Sequence, residues 1–518
     1  MATEKANEGT FGKHFGLWSA VGLGWITLNV FGGMSLILAF ALSAGGLPAI
    51  LYGFIGSSFA VFCIILTFAQ CASRYSTAGG AYHYACFLLP DQYRRSVSYV
   101  LGWLNYLGWI FTHAACCSIV ATCTMALVNL CDPSFDTSIR WRLFLVYEAM
   151  VLLCWGVNVW GLRGIPTLEL LGSTIFGFIA YTILLLVKAP KAEPSFVFVD
   201  TTNDTGYSSM STAIFLGLFT SFATLMALDG PAHLAEEIPQ PKKLLPRIML
   251  IVIGSQFVVG VIWIIVLGFS ITDLDAILAT PTGIPTLELI RQATGGNAAS
   301  IAFCVILMMN NGTSALGSAV TMTRQGFAFA RDGGLFWNSK LVEVTPRVHT
   351  PFWSITLPSI FVALVGVIYL FSSAAFNAII GSQVVCMIIS FGFPALILLL
   401  TSGRTLPAKK EWNFGVWSKP IYIVSVLYCA LVFIVAFIPQ SHPITSLNMN
   451  YTILVMGVFM IFMTVSWFLE GHKLFKLPVC EDDAVYESDL IDGVVVDAEA
   501  GQEVTSVEVI GDKRLLAV

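Results

Sequence analysis

Long apolar stretches alternate with short polar connections along almost the whole chain. Twelve of them reach the roughly 17–25 residues that a helix needs to cross a bilayer. They are placed at residues 17–44, 49–73, 98–130, 143–162, 168–188, 212–238, 247–271, 299–325, 354–372, 376–401, 419–439 and 451–470. Because hydrocarbon does not hydrogen-bond exposed backbone amides, each stretch is predicted to be an α-helix. The pattern therefore predicts an all-α integral membrane protein with twelve transmembrane helices over residues 17–472.

The composition agrees with a membrane environment. Hydrophobic residues make up 57% of the 518 residues and charged residues only 11%, whereas a soluble domain carries about 25% charged residues. Residues 1–16 are polar, and no small-residue cleavage site follows the first apolar stretch. We therefore expect no cleaved signal peptide, a cytoplasmic N-terminal segment over residues 1–16, and a first helix that directs insertion.

The distribution of basic residues predicts the orientation of the chain. With the N-terminus in the cytoplasm, 21 of the 26 Lys and Arg residues fall in cytoplasmic segments and 5 fall outside. This asymmetry follows the positive-inside rule and predicts that both termini are cytoplasmic. Residues 473–518 are acidic and have no helical periodicity, which is typical of a mobile tail.

Two predicted helices contain residues that interrupt a helix near the middle. The first has Asn29 followed by Gly32 and Gly33, and the sixth has Asp229-Gly230-Pro231. Proline lacks the amide hydrogen and clashes with the preceding turn, while glycine permits unwound backbone. Interrupted helices at matching positions of two halves are typical of transporters. A simple proline kink is the alternative, but it would not require a matching break in the first helix.

The interrupted helices supply the candidate substrate site. Carbonyl groups released before Pro231 suit an ammonium group, and amide groups near Gly32 and Gly33 suit a carboxylate. Since a carboxylate is costly in hydrocarbon, Asp229 is expected to face a cavity, where it pairs with a substrate ammonium or carries a proton. The candidate substrate-binding residues are Asn29, Phe31, Gly32, Gly33, Asp229 and Gly230. For those of the first helix, close helix packing is the alternative.

Other residues near the sixth helix have candidate roles. His233 follows Asp229 by four residues, so the two can share a helix face and a coupling proton; packing is the alternative. Trp25 and Phe222 are candidate aromatic lids, although most aromatic residues in such a chain are core or lipid-facing. A candidate cytoplasmic gate consists of Arg74, Glu236, Glu237 and Arg331.

Searches for other chemistry give few candidates. Asn203 begins a glycosylation sequence in a polar loop that is predicted to lie outside. The 12 cysteines lie almost entirely in predicted helices and include no CxxC pair, so they are interpreted as small buried hydrophobic residues. No phosphate-binding loop, metal motif or catalytic triad is recognised, and the basic residues orient the chain rather than bind nucleic acid. We expect no cofactor, no metal and no enzymatic activity.

Several motifs carry a resemblance to a known family. Residues 229–239, followed by Pro246-Arg247, resemble the sixth-helix motif of the fungal amino acid, GABA and choline permeases of the amino acid–polyamine–organocation superfamily. Further similar segments are residues 70–82, residues 323–334 with the later Pro346 and Thr350-Pro351, and residues 412–420 with 448–451. The resemblance covers about residues 15–475. Gln70 departs from it, because the family commonly has Glu there, and residues 29–34 replace the Gly-Ser/Thr-rich turn of many amino-acid-selective relatives.

The resemblance implies two inverted five-helix repeats plus two further helices, and secondary active uptake that in fungi is usually driven by protons. We therefore expect a proton symporter that imports an amine-bearing small molecule such as an amino acid or GABA. A choline or other quaternary-amine carrier and a carrier of a secondary-metabolite amine are alternatives. A passive channel and a non-transporting nutrient receptor with the same fold are others. The expected partners are the amine, protons and the bilayer, and the plasma membrane is favoured over the vacuole.

Overall fold

The computed structural model describes most of the chain. Its described residues are 16–161, 167–345, 350–407, 411–446, 448–478, 495–496 and 503–504. Two units are distinguished, residues 1–476 and 477–518. The predicted N-terminal segment except Gly16, and almost all of the predicted tail, lie outside the described residues. Within the second unit, the described residues form one antiparallel pair of short strands, β1 (Val495–Val496) and β2 (Glu503–Val504).

The described part of the first unit is helical. Its α-helices are α1 (Leu17–Leu28), α2 (Val30–Ser43), α3 (Gly46–Ala72), α4 (Ala81–Leu88), α5 (Asp91–Cys131), α6 (Arg140–Gly156), α7 (Thr167–Lys188), α8 (Pro194–Phe198), α9 (Met210–Thr224), α10 (Pro241–Phe269), α11 (Leu274–Leu278), α12 (Pro285–Thr294), α13 (Asn297–Arg331), α14 (Asn338–Leu341), α15 (Phe352–Phe371), α16 (Ser373–Leu400), α17 (Ser418–Val435), α18 (Thr452–Ser466) and α19 (His472–Leu474). Short 3-10 helices cover Gly230–Glu237 and Gly415–Trp417, and π-helical turns cover Val157–Gly161 and Trp467–Gly471.

The helices confirm an all-α membrane protein. Among the described residues, ten helices are long and apolar enough to cross a bilayer. Two shorter apolar helices, Thr174–Lys188 and Met210–Thr224, lie where the fifth and sixth transmembrane helices are predicted. The count of twelve therefore stays a prediction. One helix that is longer than predicted is α5, which has 41 residues and begins seven residues before the predicted 98–130 stretch, with Pro90 at its N-cap.

Both predicted interruptions are present. The first is a single residue, Asn29, which joins α1 to α2 in the left-handed conformation with φ 47° and ψ 52°. In the second, α9 ends at Thr224, and residues 225–229 are non-helical before the 3-10 helix Gly230–Glu237 begins. The prediction of broken first and sixth helices is confirmed. One detail of the prediction differs from the structure. Gly32 and Gly33 do not interrupt the first helix themselves but lie within α2.

The centre of the bundle is built on α5, which packs along both α13 and α16. Glycines bring α5 and α13 together: a Cβ on Gly102 would clash with the ring of Phe329, and one on Gly326 would lie 2.7 Å from the ring of Tyr106. Each ring therefore occupies the space left by a glycine on the facing helix. This close packing fixes the position of α5 beside the interruption of the sixth helix.

Candidate functional site

Asp229 lies at the second interruption, and its side chain is completely buried. Its Oδ2 atom accepts a hydrogen bond of 3.0 Å from Asn105 Nδ2 of α5. The same oxygen is 3.0 Å from His233 Nε2. The structure therefore brings together Asp229 and His233, the two residues predicted to handle a proton. It adds Asn105 to them, a residue that was not predicted from the sequence.

The hydrogen bonds of His233 place a proton between the two residues. His233 Nδ1 is 2.8 Å from the carbonyl oxygen of Ala78, which only accepts, so Nδ1 carries a hydrogen. A neutral imidazole would then direct the lone pair of Nε2 at the carboxylate oxygen of Asp229, and two acceptors would face each other. One further proton on either atom removes this conflict. The pair therefore holds either an imidazolium and a carboxylate, or an imidazole and a carboxylic acid.

Two acceptor atoms beside this pair have no hydrogen-bond partner among the described residues. They are Asp229 Oδ1 and Asn105 Oδ1, both buried. Buried polar atoms are almost always bonded, and an unpaired one costs about 1–3 kcal/mol. A ligand that brought an N–H donor to each oxygen would remove this cost. These two oxygens could therefore accept hydrogen bonds from an ammonium group.

Trp109 of α5 covers one side of the same region. Its ring packs edge-to-face on His233 with centroids 6.0 Å apart. A Cβ on Gly230 would lie 3.5 Å from the tip of the indole, at ordinary van der Waals distance. The predicted site residue Gly230 therefore lies beside Trp109 at the start of the 3-10 helix. An aromatic face can also attract a substrate cation.

The interruption of the first helix is bonded within the protein. Asn29 Nδ2 donates to Asn311 Oδ1 at 3.1 Å, and Asn29 Oδ1 accepts from the amide of Gly32 at 3.1 Å. The amide of Gly33 donates to the Asn29 carbonyl at 3.0 Å. The amide of Val30 donates to the side chain of Gln256 on α10 at 3.2 Å. A substrate carboxylate at the start of α2 would have to replace these acceptors.

The predicted aromatic residues pack against other groups. Phe31 lies in a cluster of rings and is 4.8 Å from the ring of Trp263. Trp25 donates from its indole nitrogen to Ser255 Oγ at 2.9 Å. Phe222 packs edge-to-face on Tyr428 and lines a largely apolar cavity of about 490 Å³ between α3, α9 and α17. Among the contacts of the described residues, these rings have none with Asp229.

Comparison with known proteins gives the family. The sequence model of the family described as "Amino acid permease" matches residues 15–459. The chain belongs to this family. It is therefore a multi-pass membrane transporter and not an enzyme, and the resemblance found in its sequence motifs is confirmed.

Relatives of this permease come from fungi. A choline transporter of Saccharomyces cerevisiae is 28% identical over 89% of this chain and 82% of its own length. A putative amino acid/polyamine transporter of Macrophomina phaseolina is 27% identical over 83% of this chain and 96% of its own length. A 7-keto 8-aminopelargonic acid transporter of Saccharomyces cerevisiae is 25% identical over 88% of this chain and 92% of its own length. The substrates named for these relatives differ, but each contains an amine or quaternary ammonium nitrogen.

A solved structure shows the same fold. The crystal structure of MhsT in complex with L-phenylalanine has a TM-score of 0.57 and 14% sequence identity. The alignment covers 81% of the permease and 98% of that chain. At this identity the likeness concerns the fold alone.

Three of the four predicted gate residues, Glu236, Glu237 and Arg331, take part in ion pairs between the 3-10 helix Gly230–Glu237 and α13. Glu236 is 2.9 Å from Arg331, and a gate role for this pair stays a prediction. Glu237 is 2.5 Å from Arg324, and both side chains are buried. Arg74 is not brought to either glutamate. Its guanidinium instead donates to the carbonyl oxygens of Pro407 and Gln70 at 2.8 and 2.9 Å.

A second histidine–aspartate contact lies next to these ion pairs. Asp332 Oδ2 accepts from Tyr82 at 2.8 Å and is 2.7 Å from His83 Nε2. His83 Nδ1 in turn contacts Thr77 Oγ1. Burial, followed by the charge of Asp332 and its hydrogen bond, raises the pKa of the Tyr82 hydroxyl well above its usual value. Tyr82 therefore stays a hydrogen-bond donor, and it ties the start of α4 to the end of α13.

The glycosylation candidate Asn203 has an engaged side chain. Its Nδ2 donates to the carbonyl oxygen of Tyr207 at 2.8 Å, and its Oδ1 accepts from Thr205 Oγ1 at 2.7 Å. A glycan on Nδ2 would replace one of its two hydrogens and leave the other to donate. Glycosylation at this position stays a prediction.

Sequence reasoning missed Asn105, Trp109 and Gln256. Asn105 and Gln256 are amide side chains in the middle of apolar stretches, at LGWLNYLGW and VIGSQFVV. A polar group inside the bilayer is costly and usually functional, so this signal was present. Trp109 had no comparable signal, because the chain contains 13 tryptophans and only the fold distinguishes this one.

Proposed function

We propose that this permease is a proton symporter that imports a small molecule with a primary or secondary amine, such as an amino acid or GABA. The observation that carries the proposal is the pair of buried, unpartnered oxygens Asp229 Oδ1 and Asn105 Oδ1. Two acceptors without partners require N–H donors, and a substrate ammonium group supplies them. The orientation with both termini in the cytoplasm and the plasma-membrane location belong to the same proposal.

Charge explains why a proton would travel with such a substrate. A zwitterion brings one positive and one negative charge, and the protonated His233–Asp229 pair carries no net charge. The loaded site is then neutral, which a low-dielectric membrane interior favours. Without the shared proton, the site would hold a net negative charge. Acid outside the cell should therefore promote loading.

In this proposal the substrate ammonium lies between Asp229 and Asn105, with Trp109 beside it. The substrate carboxylate approaches Asn29, Gly32 and Gly33 at the start of α2, where a helix N-terminus favours an anion. To bind there it displaces Asn29 Oδ1 from the amide of Gly32. The bound molecule thus joins the two interruptions, and this contact favours rearrangement of the inner side of the bundle.

A quaternary ammonium such as choline is the second candidate, and the aromatic face of Trp109 favours it. Its nitrogen has no hydrogen to donate, so the two unpartnered oxygens favour it less. A permanent cation also leaves the loaded site neutral only when the shared proton leaves. Acid outside the cell should then inhibit uptake rather than stimulate it, so the sign of the pH effect separates the two candidates.

Uptake in a yeast strain without its own amine permeases tests the proposal. Labelled GABA, choline and several amino acids are supplied at several external pH values, with and without a protonophore. We expect saturable, protonophore-sensitive accumulation of a zwitterionic amine that rises in acid. A nutrient receptor would not accumulate any substrate, and a passive channel would not accumulate it against a gradient.

Asp229→Asn tests the site itself. We expect this variant to abolish uptake while its amount and location remain normal. Asp275→Asn makes the same chemical change at an exposed position of α11 and should transport like the wild type. Normal uptake by Asp229→Asn would overturn the assignment of the site.

A further inference from the structure

Three potential metal ligands meet inside the helical bundle, outside the set proposed to bind substrate. His113 and Cys117 lie one turn apart on α5, and Cys154 approaches them from α6. Their ligand atoms all lie within 4.8 Å of one another, and His113 Nε2 is 3.8 Å from Cys117 Sγ. Each of the three residues is at most 1% exposed. Nitrogen and sulfur ligands in this arrangement are those that zinc prefers.

The hydrogen bonds of His113 leave Nε2 available to a metal. His113 Nδ1 is 3.0 Å from the carbonyl oxygen of Ala315 and 3.2 Å from Ser318 Oγ. The hydroxyl of Ser318 donates its own hydrogen to the Ala315 carbonyl at 2.9 Å. Both neighbours of Nδ1 are therefore acceptors, so Nδ1 carries the ring hydrogen and Nε2 presents its lone pair to the thiols. A carbonyl group that accepts from the other ring nitrogen is the usual support of a metal-binding histidine.

The three ligand atoms would have to move only a little to bind a metal ion. Tetrahedral zinc with bonds of about 2.0 Å to nitrogen and about 2.3 Å to sulfur separates a nitrogen and a sulfur ligand by about 3.5 Å, and two sulfurs by about 3.8 Å. The observed 3.8 Å between His113 Nε2 and Cys117 Sγ is close to the first value. The three ligand atoms already lie within 4.8 Å of one another.

We propose that His113, Cys117 and Cys154 bind one divalent metal ion of the zinc class. Binding of Zn²⁺ releases one proton from each thiol, so two thiolates and a neutral imidazole bind the ion, and a water molecule would occupy the fourth tetrahedral position. The complex has no net charge, and a neutral complex is compatible with the bilayer interior. A monovalent ion such as Cu⁺ with the same ligands would leave one negative charge, which disfavours it there.

The site would join three helices. The ion would connect α5 to α6. The hydrogen bond from His113 Nδ1 to the Ala315 carbonyl then connects the metal-binding residues to α13. Sequence patterns do not indicate this site, because Cys117 and Cys154 lie on different helices and no short motif contains them. The proposal is independent of the proposed substrate and of proton coupling.

The metal content of the full-length protein tests the proposal. Because the ligands are buried, loading is expected during folding, so the protein is made in cells grown with zinc and purified in detergent without chelator. Elemental analysis should give about one zinc per chain for the wild type. Cys117→Ser and Cys154→Ser should lose it, while Cys386→Ser, at a buried thiol of α16 beside Met456, should keep it.

Cells grown with cobalt provide a spectroscopic test. A tetrahedral cobalt site with thiolate ligands has intense visible and near-ultraviolet bands, which His113→Gln should alter and the cysteine variants should remove. Gel filtration distinguishes a folded variant from an unfolded one, and wild-type metal content decides the question if every variant unfolds. A metal-free wild type, metal retained by the Cys117→Ser/Cys154→Ser double variant, or a Cys117–Cys154 disulfide in the purified protein would overturn the proposal.

Discussion

His233 is held between Asp229 and the carbonyl oxygen of Ala78, which lies 2.8 Å from His233 Nδ1. Ala78 belongs to the connection between α3 and α4, on the side predicted to be cytoplasmic. If this connection moves, Nδ1 loses its acceptor, and the ring no longer has to keep its hydrogen there. The shared proton beside the candidate substrate site is thereby linked to the inner side of the bundle.

This link predicts the behaviour of His233→Gln. A glutamine amide can donate to the Ala78 carbonyl or to Asp229, but it does not exchange a proton near neutral pH. We expect residual uptake that no longer rises in acid and no longer responds to a protonophore. The measurement is the initial rate of uptake between about pH 5 and about pH 8, and an unchanged acid stimulation would contradict the role of His233.

A matched control keeps this result specific. His442 is exposed, and His442→Gln makes the same change far along the chain from the candidate site. Its pH profile should match that of the wild type. A general loss of pH dependence in both variants would indicate an effect of the transport assay rather than of the His233–Asp229 pair.

Asn105 predicts a change in substrate affinity. Asn105→Ala removes the 3.0 Å bond to Asp229 Oδ2 and one of the two unpartnered acceptors. A hydrogen bond to a charged group contributes about 1.5–3 kcal/mol, so KM for the transported amine should rise roughly 10- to 100-fold. Asn129→Ala, at a half-buried asparagine near the end of α5 that bonds the Phe135 carbonyl, should leave KM unchanged. An unaltered KM in Asn105→Ala would exclude Asn105 from substrate recognition.

The helical pattern and the interruptions could be predicted because each depends on local sequence. Apolar length determines where helices cross a bilayer, and Pro231 and Gly230 disrupt a helix in almost any context. Even so, the interruption of the first helix was predicted over residues 29–33, and the structure confines it to Asn29. Asn29 alone adopts the left-handed conformation, because its side chain caps the amide of Gly32, whereas both glycines keep helical backbone.

The partners across the bundle could not be predicted in the same way. Asn105 meets Asp229 across 124 residues, and Arg324 meets Glu237 across 87 residues. Such pairs depend on how α5 and α13 pack against the rest of the bundle. The spacing of residues along the sequence does not predict that packing. Arg74 illustrates the converse, since its charge suggested a gate, but its guanidinium donates to the carbonyl oxygens of Pro407 and Gln70 and to the hydroxyl of Ser73.

Gly33 predicts a packing defect with a specific rescue. A Cβ at Gly33 would lie 2.8 Å from Thr224 Cγ2, on the last residue of α9. Gly33→Ala should therefore overpack the contact between α2 and α9, at a cost of about 1–3 kcal/mol. Thr224→Ser removes the clashing methyl group but keeps the hydroxyl that bonds the Ser221 carbonyl.

The double variant Gly33→Ala/Thr224→Ser should recover most of the thermal stability and uptake that Gly33→Ala loses. Thermal unfolding in detergent and uptake rates are measured for both single variants and the double variant. Failure of the double variant to recover uptake, with stability restored, would instead indicate that Gly33 must stay small to admit substrate. Either result assigns a role to the contact between the two interrupted helices.

The two ion pairs between the Gly230–Glu237 helix and α13 should differ in their contribution to stability. Glu237 and Arg324 are buried, with side chains 4% and 6% exposed, so loss of the carboxylate leaves a charge in a poorly solvated place. Such a loss costs about 3–5 kcal/mol. The Glu236–Arg331 pair is partly solvated, and a pair of this kind contributes about 0–1 kcal/mol.

Glu237→Gln should therefore lower the unfolding temperature clearly more than Glu236→Gln, although the two substitutions are identical in chemistry and adjacent in sequence. Glu236→Gln should instead affect transport, because a weak pair can open and close during the cycle while a strong one holds the scaffold. We expect it to weaken closure of the inner side and to raise the access of inner-side cysteine labels in the absence of substrate. Equal losses of stability in the two variants would show that burial does not distinguish these pairs, and both would then have to be treated as one network.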